Sequence, residues 1–150
     1  MTSEAINQII GILTAYYPAR YKNEDVKQLG RSIATQFSNI SGQSFVNILE
    51  LRCKQTRNPV DLYEVAKRAK LLDEHLVAQY EFKRSQYDDL MTKGRENFDE
   101  TPDFLSMFGA IGMVKRFDEY AEMYKKQLNE AIRNLPTEYR IKNGITEILS

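Results

Sequence analysis

Apolar residues in this chain recur every three or four positions almost from end to end, with no stretch of clean alternation. That period is the turn of an α-helix, so the core has to form where helix faces meet. Four prolines punctuate the pattern. Pro18 ends a first stretch built on Ile6, Ile9, Ile10, Leu13 and Tyr17, with Ser3 placed to cap it. A proline there removes a backbone donor and disfavours helix at the residue before it. Pro59 and Pro102 each follow a capping residue, Asn58 and Thr101, and mark helix starts. A proline at the first helical position loses nothing, because its missing N–H would have no partner anyway. Pro136 stops the next-to-last helix, and Thr137 is placed to cap a short final one with Ile141, Ile145 and Ile148.

Between these marks the helices can be placed one by one. Asn23 offers a cap, Glu24 and Asp25 sit in the first turn where the helix dipole favours acids, and Val26, Leu29, Ile33 and Phe37 make the stripe. Ser41-Gly42 breaks the pattern, and Ser41 or Ser44 caps a third helix carrying Phe45, Ile48, Leu49 and Cys53. From Pro59 onward, Leu62, Val65, Ala69, Leu72 and Leu76 step by three and four with no break before Gly94. This is a coiled-coil-like seam, expected of a long helix that projects from a small domain or pairs with a long partner. Lys93 to Thr101 is polar and reads as a loop. Phe104, Leu105, Met107, Phe108 and Ile111 follow, Gly109 and Gly112 weaken the helix, and Phe117, Ala121, Tyr124, Leu128, Ala131 and Leu135 resume the stripe. The expected fold is an all-α bundle of six or seven helices, two of them long, at about 59–93 and 113–135. The expected organisation is an N-terminal helical domain, 1–93, ending in a long helix, and a C-terminal helical segment, 101–150, that carries partner binding.

With 150 residues, 42% of them hydrophobic, the chain buries a core without covalent staples. Basic and acidic side chains balance at 21 each, which argues against a protein whose main work is coating nucleic acid. Residues 1–60 nevertheless carry a net +3, and residues 61–100 a net −3. The single cysteine, Cys53, excludes an intrachain disulfide and suits a reducing compartment. No run of about 18 apolar residues and no charged-then-apolar leader appears, so a cytoplasmic protein with no membrane span is expected.

Chemistry is sparse. No glycine-rich phosphate loop precedes a lysine as nucleotide hydrolysis needs; Lys93-Gly94-Arg95 and Gly109-Ala110-Ile111-Gly112 both lack the pattern. One histidine and one cysteine do not make a zinc site, and Asp88-Asp89 and Asp99-Glu100 are merely adjacent pairs, a spacing that on a helix faces apart. Cys53 reads as a small buried hydrophobe and His75 as a surface or packed residue. No catalytic residue, metal or cofactor is expected. Two surfaces remain. Arg52, Arg57, Lys67 and Arg68, with Lys54 and Lys70 beside them, cluster where helices three and four meet and could contact phosphate; Glu50, Asp61 and Glu64 dilute them. Phe104, Met107, Phe108, Met113 and Phe117 make a nearly all-apolar run, either core or an anchor for a partner's groove.

The first 70 residues resemble the phage helicase-loader family, small proteins described as both loaders and inhibitors of the phage replicative helicase. The residues that carry the likeness are Ile9-Ile10, Ile12-Leu13 and Ala15-Tyr16-Tyr17-Pro18, then Val26, Leu29 and Ile48-Leu49, and finally Pro59 with Glu64-Val65. The resemblance implies a non-enzymatic phage DNA-replication protein. It would bind the hexameric replicative helicase, hold it inactive and pass it to an origin-bound initiator protein. Other readings of the same pattern are a helical interaction module of another kind, such as a phage inhibitor of a host factor or a self-associating regulator, and a nucleic-acid binder using the basic cluster.

Overall fold

The structure, a computed structural model, describes the backbone of residues 1–21, 23–97 and 109–148, and side chains throughout these ranges except at 23–25, 95–97 and 109–116. It is all-α. The helices are α1 (Ser3–Tyr16), α2 (Asn23–Gln36), α3 (Gly42–Gln55), α4 (Leu62–Asn97), α5 (Gly109–Asn134) and α6 (Thr137–Asn143). Two compact units divide the chain: Met1–His75 with Pro136–Lys142, and Leu76–Leu135 with Asn143–Ser150. Contact density thus draws its boundary within α4, whereas composition changes at the polar stretch after it.

The first unit is built on α1, α2, α3 and the opening turns of α4. Ile9, Leu13, Ile33, Phe37, Phe45, Leu49, Cys53, Val65 and Ala69 form one buried cluster. These are the stripe residues of four helices, brought together because each helix has one apolar face to hide. The caps that deliver them differ in places from expectation. Thr2, not Ser3, caps α1: its extended backbone lets Oγ1 accept from the Ala5 N–H at 3.2 Å, whereas Ser3 is already inside the helix. Tyr17 closes the same helix, donating its N–H to the Leu13 carbonyl at 2.8 Å, one residue before Pro18. Ser41 rather than Ser44 caps α3, accepting from the Ser44 N–H.

The start of α4 is displaced from the expected proline. Asp61 is the cap: Oδ1 accepts from the Tyr63 N–H at 2.9 Å and its carbonyl accepts from the Val65 N–H at 3.1 Å. Asp caps as well as Asn does, and Asp61 lies closer to the first buried residue, Val65. Asn58-Pro59 instead forms an exposed turn, held by the Tyr17 hydroxyl donating to the Asn58 carbonyl at 3.0 Å. At its other end α4 contains Gly94 at φ 68° and ψ 176°, a conformation suited to glycine, so regular helix stops at Lys93 as the break in the pattern implied.

The deepest polar feature of this unit joins α3 to α4. The Asp73 carboxylate accepts from the Ser41 N–H at 2.9 Å, the Ser41 hydroxyl at 2.8 Å and the Ser44 hydroxyl at 2.5 Å. Both serines are buried, so Asp73 satisfies groups that water does not reach. Glu138 of α6 accepts from the Gly42 N–H at 3.4 Å, adding an acceptor at the same helix start. Pro136 supplies the first acceptor of α6, to the Arg140 N–H, so Thr137 is the first residue of that helix rather than its cap.

In the second unit, Leu90, Phe117, Leu128, Ile132 and Leu135 are buried. Leu128 and Leu135 of the expected stripe are buried, but Ile132, with no exposed surface, takes the place expected of Ala131, which is only half-buried. Lys83 Nζ donates to Gln127 Oε1 at 3.1 Å. Residues 145–148, outside any helix, return along α5, where the Asn129 amide donates to the Ile148 carbonyl at 3.0 Å and accepts from its N–H at 2.7 Å. Arg133 and Glu147 pair beside it at 2.7 Å. The sequence prediction of a last helix running through Ile145 and Ile148 fails here: Gly144, at φ 62°, ends α6 and turns the chain out of the helix.

Candidate functional site

The basic cluster is the first surface to place. Arg52 lies in the last turn of α3, where the helix dipole favours a cation, and Arg68 lies one turn along α4 from Glu64. The Glu64 carboxylate sits between them, 3.4 Å from Arg52 and 2.9 Å from Arg68. Two of the four candidate cations are therefore engaged with a carboxylate that ties α3 to α4. Arg52 Nε is enclosed and finds no partner among the described residues. Arg57 and Lys67 are exposed. Glu64 brings Arg52 and Arg68 together, and the structure thereby spends much of the charge on an internal bridge. With Glu64 and Arg68 both well exposed, that bridge contributes little to stability.

The apolar run is placed only in part. Phe104, Met107 and Phe108 lie outside the described residues, and so does the side chain of Met113 in α5. Phe117 is buried, with 6% of its surface exposed, so its ring serves the interior of the second unit rather than a surface. Its spacing to Ala121, Tyr124 and Leu128 is that of a buried stripe, a signal already present in the sequence.

Exposed apolar side chains occur elsewhere. In the first unit Tyr63, Leu71 and Ile141 are 65%, 58% and 76% exposed, with Leu51 and Tyr16 beside them in rank; in the second unit Phe82, Met91 and Met123 stand out. Tyr63 has a structural task as well: its ring meets the edge of Phe37 at 5.5 Å and its hydroxyl donates to Gln36 Oε1 at 3.0 Å. Composition alone does not locate such residues, because a helical stripe predicts the buried face and leaves isolated apolar groups on the other unremarked.

Two further groups bear on chemistry. Cys53 is buried, and burial is the main cause that pushes its thiol above the ordinary value; the Tyr17 hydroxyl beside it acts the other way. A thiol held neutral is a poor nucleophile. Tyr17 is itself pushed up, chiefly by burial and then by its contact with Cys53. Both groups hold their protons more tightly folded than unfolded. Stability is therefore full below the unfolded thiol value near 9.0 and falls as pH rises past it, first through Cys53 and then Tyr17. Urea midpoints measured at about pH 8 and about pH 10.5 should show a smaller alkaline loss for Cys53→Ala than for the unaltered chain. Equal losses would contradict this placement of the thiol.

A concavity of about 480 Å³ opens where the N-terminal turns of α1 and α3 lie beside α6, lined by Thr2, Glu4, Gln8, Gln43, Asn47 and Glu138 among others. Its two carboxylates have no histidine, cysteine or lysine among the lining residues to work with. Among the described residues no group of three or more His, Cys, Asp or Glu gathers as a metal ion would require. His75 is exposed on α4. Among the described residues no helix is long and apolar enough to cross a membrane.

No family model matches the chain, and neither a curated protein nor a solved structure does so.

Proposed function

We propose that this protein is a non-enzymatic phage DNA-replication accessory protein that binds the hexameric replicative helicase in the cytoplasm of a bacterial host and loads or inhibits it. The observation that carries the reading is the order of elements in the first unit. A helix closed by an aromatic–proline step is followed by two amphipathic helices, and a short proline-containing turn leads into a fourth. That is the order the resemblance implies, and here it encloses one apolar core. Exposed apolar side chains, Ile141, Tyr63 and Leu71 foremost, support an interaction role. An origin-bound initiator protein is the second partner this reading supplies.

The test is direct. The protein is mixed with a bacterial or phage replicative helicase and passed over a sizing column with and without nucleotide. Co-migration with the hexamer is expected. Failure to co-migrate with any cognate helicase removes the proposal and leaves a helical interaction module of another kind, such as an inhibitor of a host factor. A nucleic-acid role would rest on Arg57 and Lys67, because Arg52 and Arg68 already share Glu64. It would show as salt-sensitive binding weakened by Arg57→Glu.

A further inference from the structure

The geometry points to a docking groove between α1 and α2 that takes an acidic amphipathic helix from a partner protein. The inference rests on the reading of the chain as a helical binding module, and it names the chemistry of the segment bound.

The groove has a volume of about 380 Å³. Ile6 and Ile10 of α1 form one wall, and Val26, Gly30 and Ala34 of α2 form the other. Each set repeats every four residues, so two short apolar ridges run side by side. Gly30 forms the floor where the two ridges meet: with no Cβ it lets the Ile10 and Ile6 side chains lie against α2, since a Cβ there would come within 3.2 Å of Ile10 Cδ1 and 3.5 Å of Ile6 Cγ2. Ile6 leans on the core of the first unit, but Ile10 is half-buried without belonging to the set packed against that core. Its apolar surface is available in the trough.

Charge decides the occupant. Lys27 and Arg31 line the same groove, both exposed, and neither takes part in an ion pair among the described residues. This contrasts with Arg52 and Arg68, which Glu64 engages. Lys27 and Arg31 are four residues apart, so their Cα atoms lie about 6 Å apart along the helix axis. A partner helix with Glu or Asp at the same four-residue interval presents carboxylates at that spacing while its apolar residues enter the trough. The excess of three positive charges over residues 1–60 strengthens attraction for an acidic segment and repels a basic one.

The test uses the full chain, labelled with ¹⁵N, and two capped synthetic helical peptides of about five turns. Both carry Leu at three- and four-residue intervals; one has Glu on the flanking row and the other has Lys. The acidic peptide is expected to saturate and to shift Ile6, Ile10, Val26, Gly30 and Ala34, with affinity falling as salt rises. The double variant Lys27→Glu, Arg31→Glu changes only exposed side chains. It should weaken the acidic peptide by about tenfold and gain the basic one. Shifts centred on other residues, no saturation, or equal affinity for both peptides would overturn the groove. Helicase capture separates the two proposals. Capture that the double variant leaves unchanged sinks the groove and spares the helicase reading. Peptide binding without any helicase capture does the reverse.

Discussion

Phe45→Ala is expected to lower the unfolding free energy by about 3–5 kcal/mol, the usual cost of truncating a fully buried phenylalanine. Phe45 has no exposed surface. Its ring centre lies 5.4 Å from that of Phe37, and Phe37 in turn meets Tyr63 edge-on. The three rings lead from the interior to the surface, from α3 through the residue that follows α2 to α4. Alanine would remove the inner end, lose the transfer free energy of the ring, and leave a cavity bounded by backbone that helices cannot easily close. Phe45→Leu keeps most of the volume and should cost less than about 1.5 kcal/mol. Urea unfolding followed by circular dichroism measures both, and the loss should appear as a lower midpoint with an unchanged slope. A cost for Phe45→Ala below about 1 kcal/mol would mean that solvent reaches the ring.

That core was legible because helical periodicity is a local signal. Ile9, Leu13, Ile33, Phe37, Leu49, Val65 and Ala69 were all placed on buried faces by spacing alone, and all are buried. Helix starts were less legible, because several residues near each start cap comparably well. Thr2 and Ser3 are both good caps, as are Asn58 and Asp61, and only the position of the first packed residue decides between them. Gly42 shows a different limit. It reads as a break between helices, yet it is the first residue of α3, and a side chain there would overlap Ala5 of α1. Close approach of two helices forty residues apart leaves no local trace beyond the glycine itself.

The candidate surfaces were legible only as clusters along the chain. Arg52, Arg57, Lys67 and Arg68 are close in sequence, so they read as one cluster; that Glu64 would stand between Arg52 and Arg68 could not be read there. The groove at Lys27 and Arg31 has no local signature, because one of its two apolar walls comes from α1, some twenty residues away. Phe117 carried contradictory signals, apolar enough for an anchor and spaced for a core, and the structure places it in the core. Spacing reports burial more directly than hydrophobicity does, since an exposed phenylalanine and a buried one have the same transfer free energy to gain.

Asp73→Ala is expected to cost about 3 kcal/mol, a large effect for a partly buried polar residue. Its carboxylate holds the Ser41 N–H and two serine hydroxyls, and both serines are buried. Alanine leaves three donors facing a space that water enters poorly, and an unpaired buried donor costs more than a made hydrogen bond contributes. The loss also reaches the helix end, because Ser41 caps α3 through the hydroxyl that Asp73 orients. A double-mutant cycle separates these effects. Removing the acceptor and one of its donors together, as Asp73→Ala with Ser44→Ala, should cost less than the separate changes summed, because fewer buried groups are left unpaired. Costs that add would mean that Ser44 finds water when Asp73 is gone. Asp73 sits thirty-two residues from Ser41 in a helix whose exposed face is rich in charge, so nothing local marks it as the acceptor that joins α3 to α4. The long helix is thereby fixed to the first unit by a polar clasp as well as by Val65 and Ala69. The clasp is directional where apolar contact is not, so it sets the register of α4 on the unit.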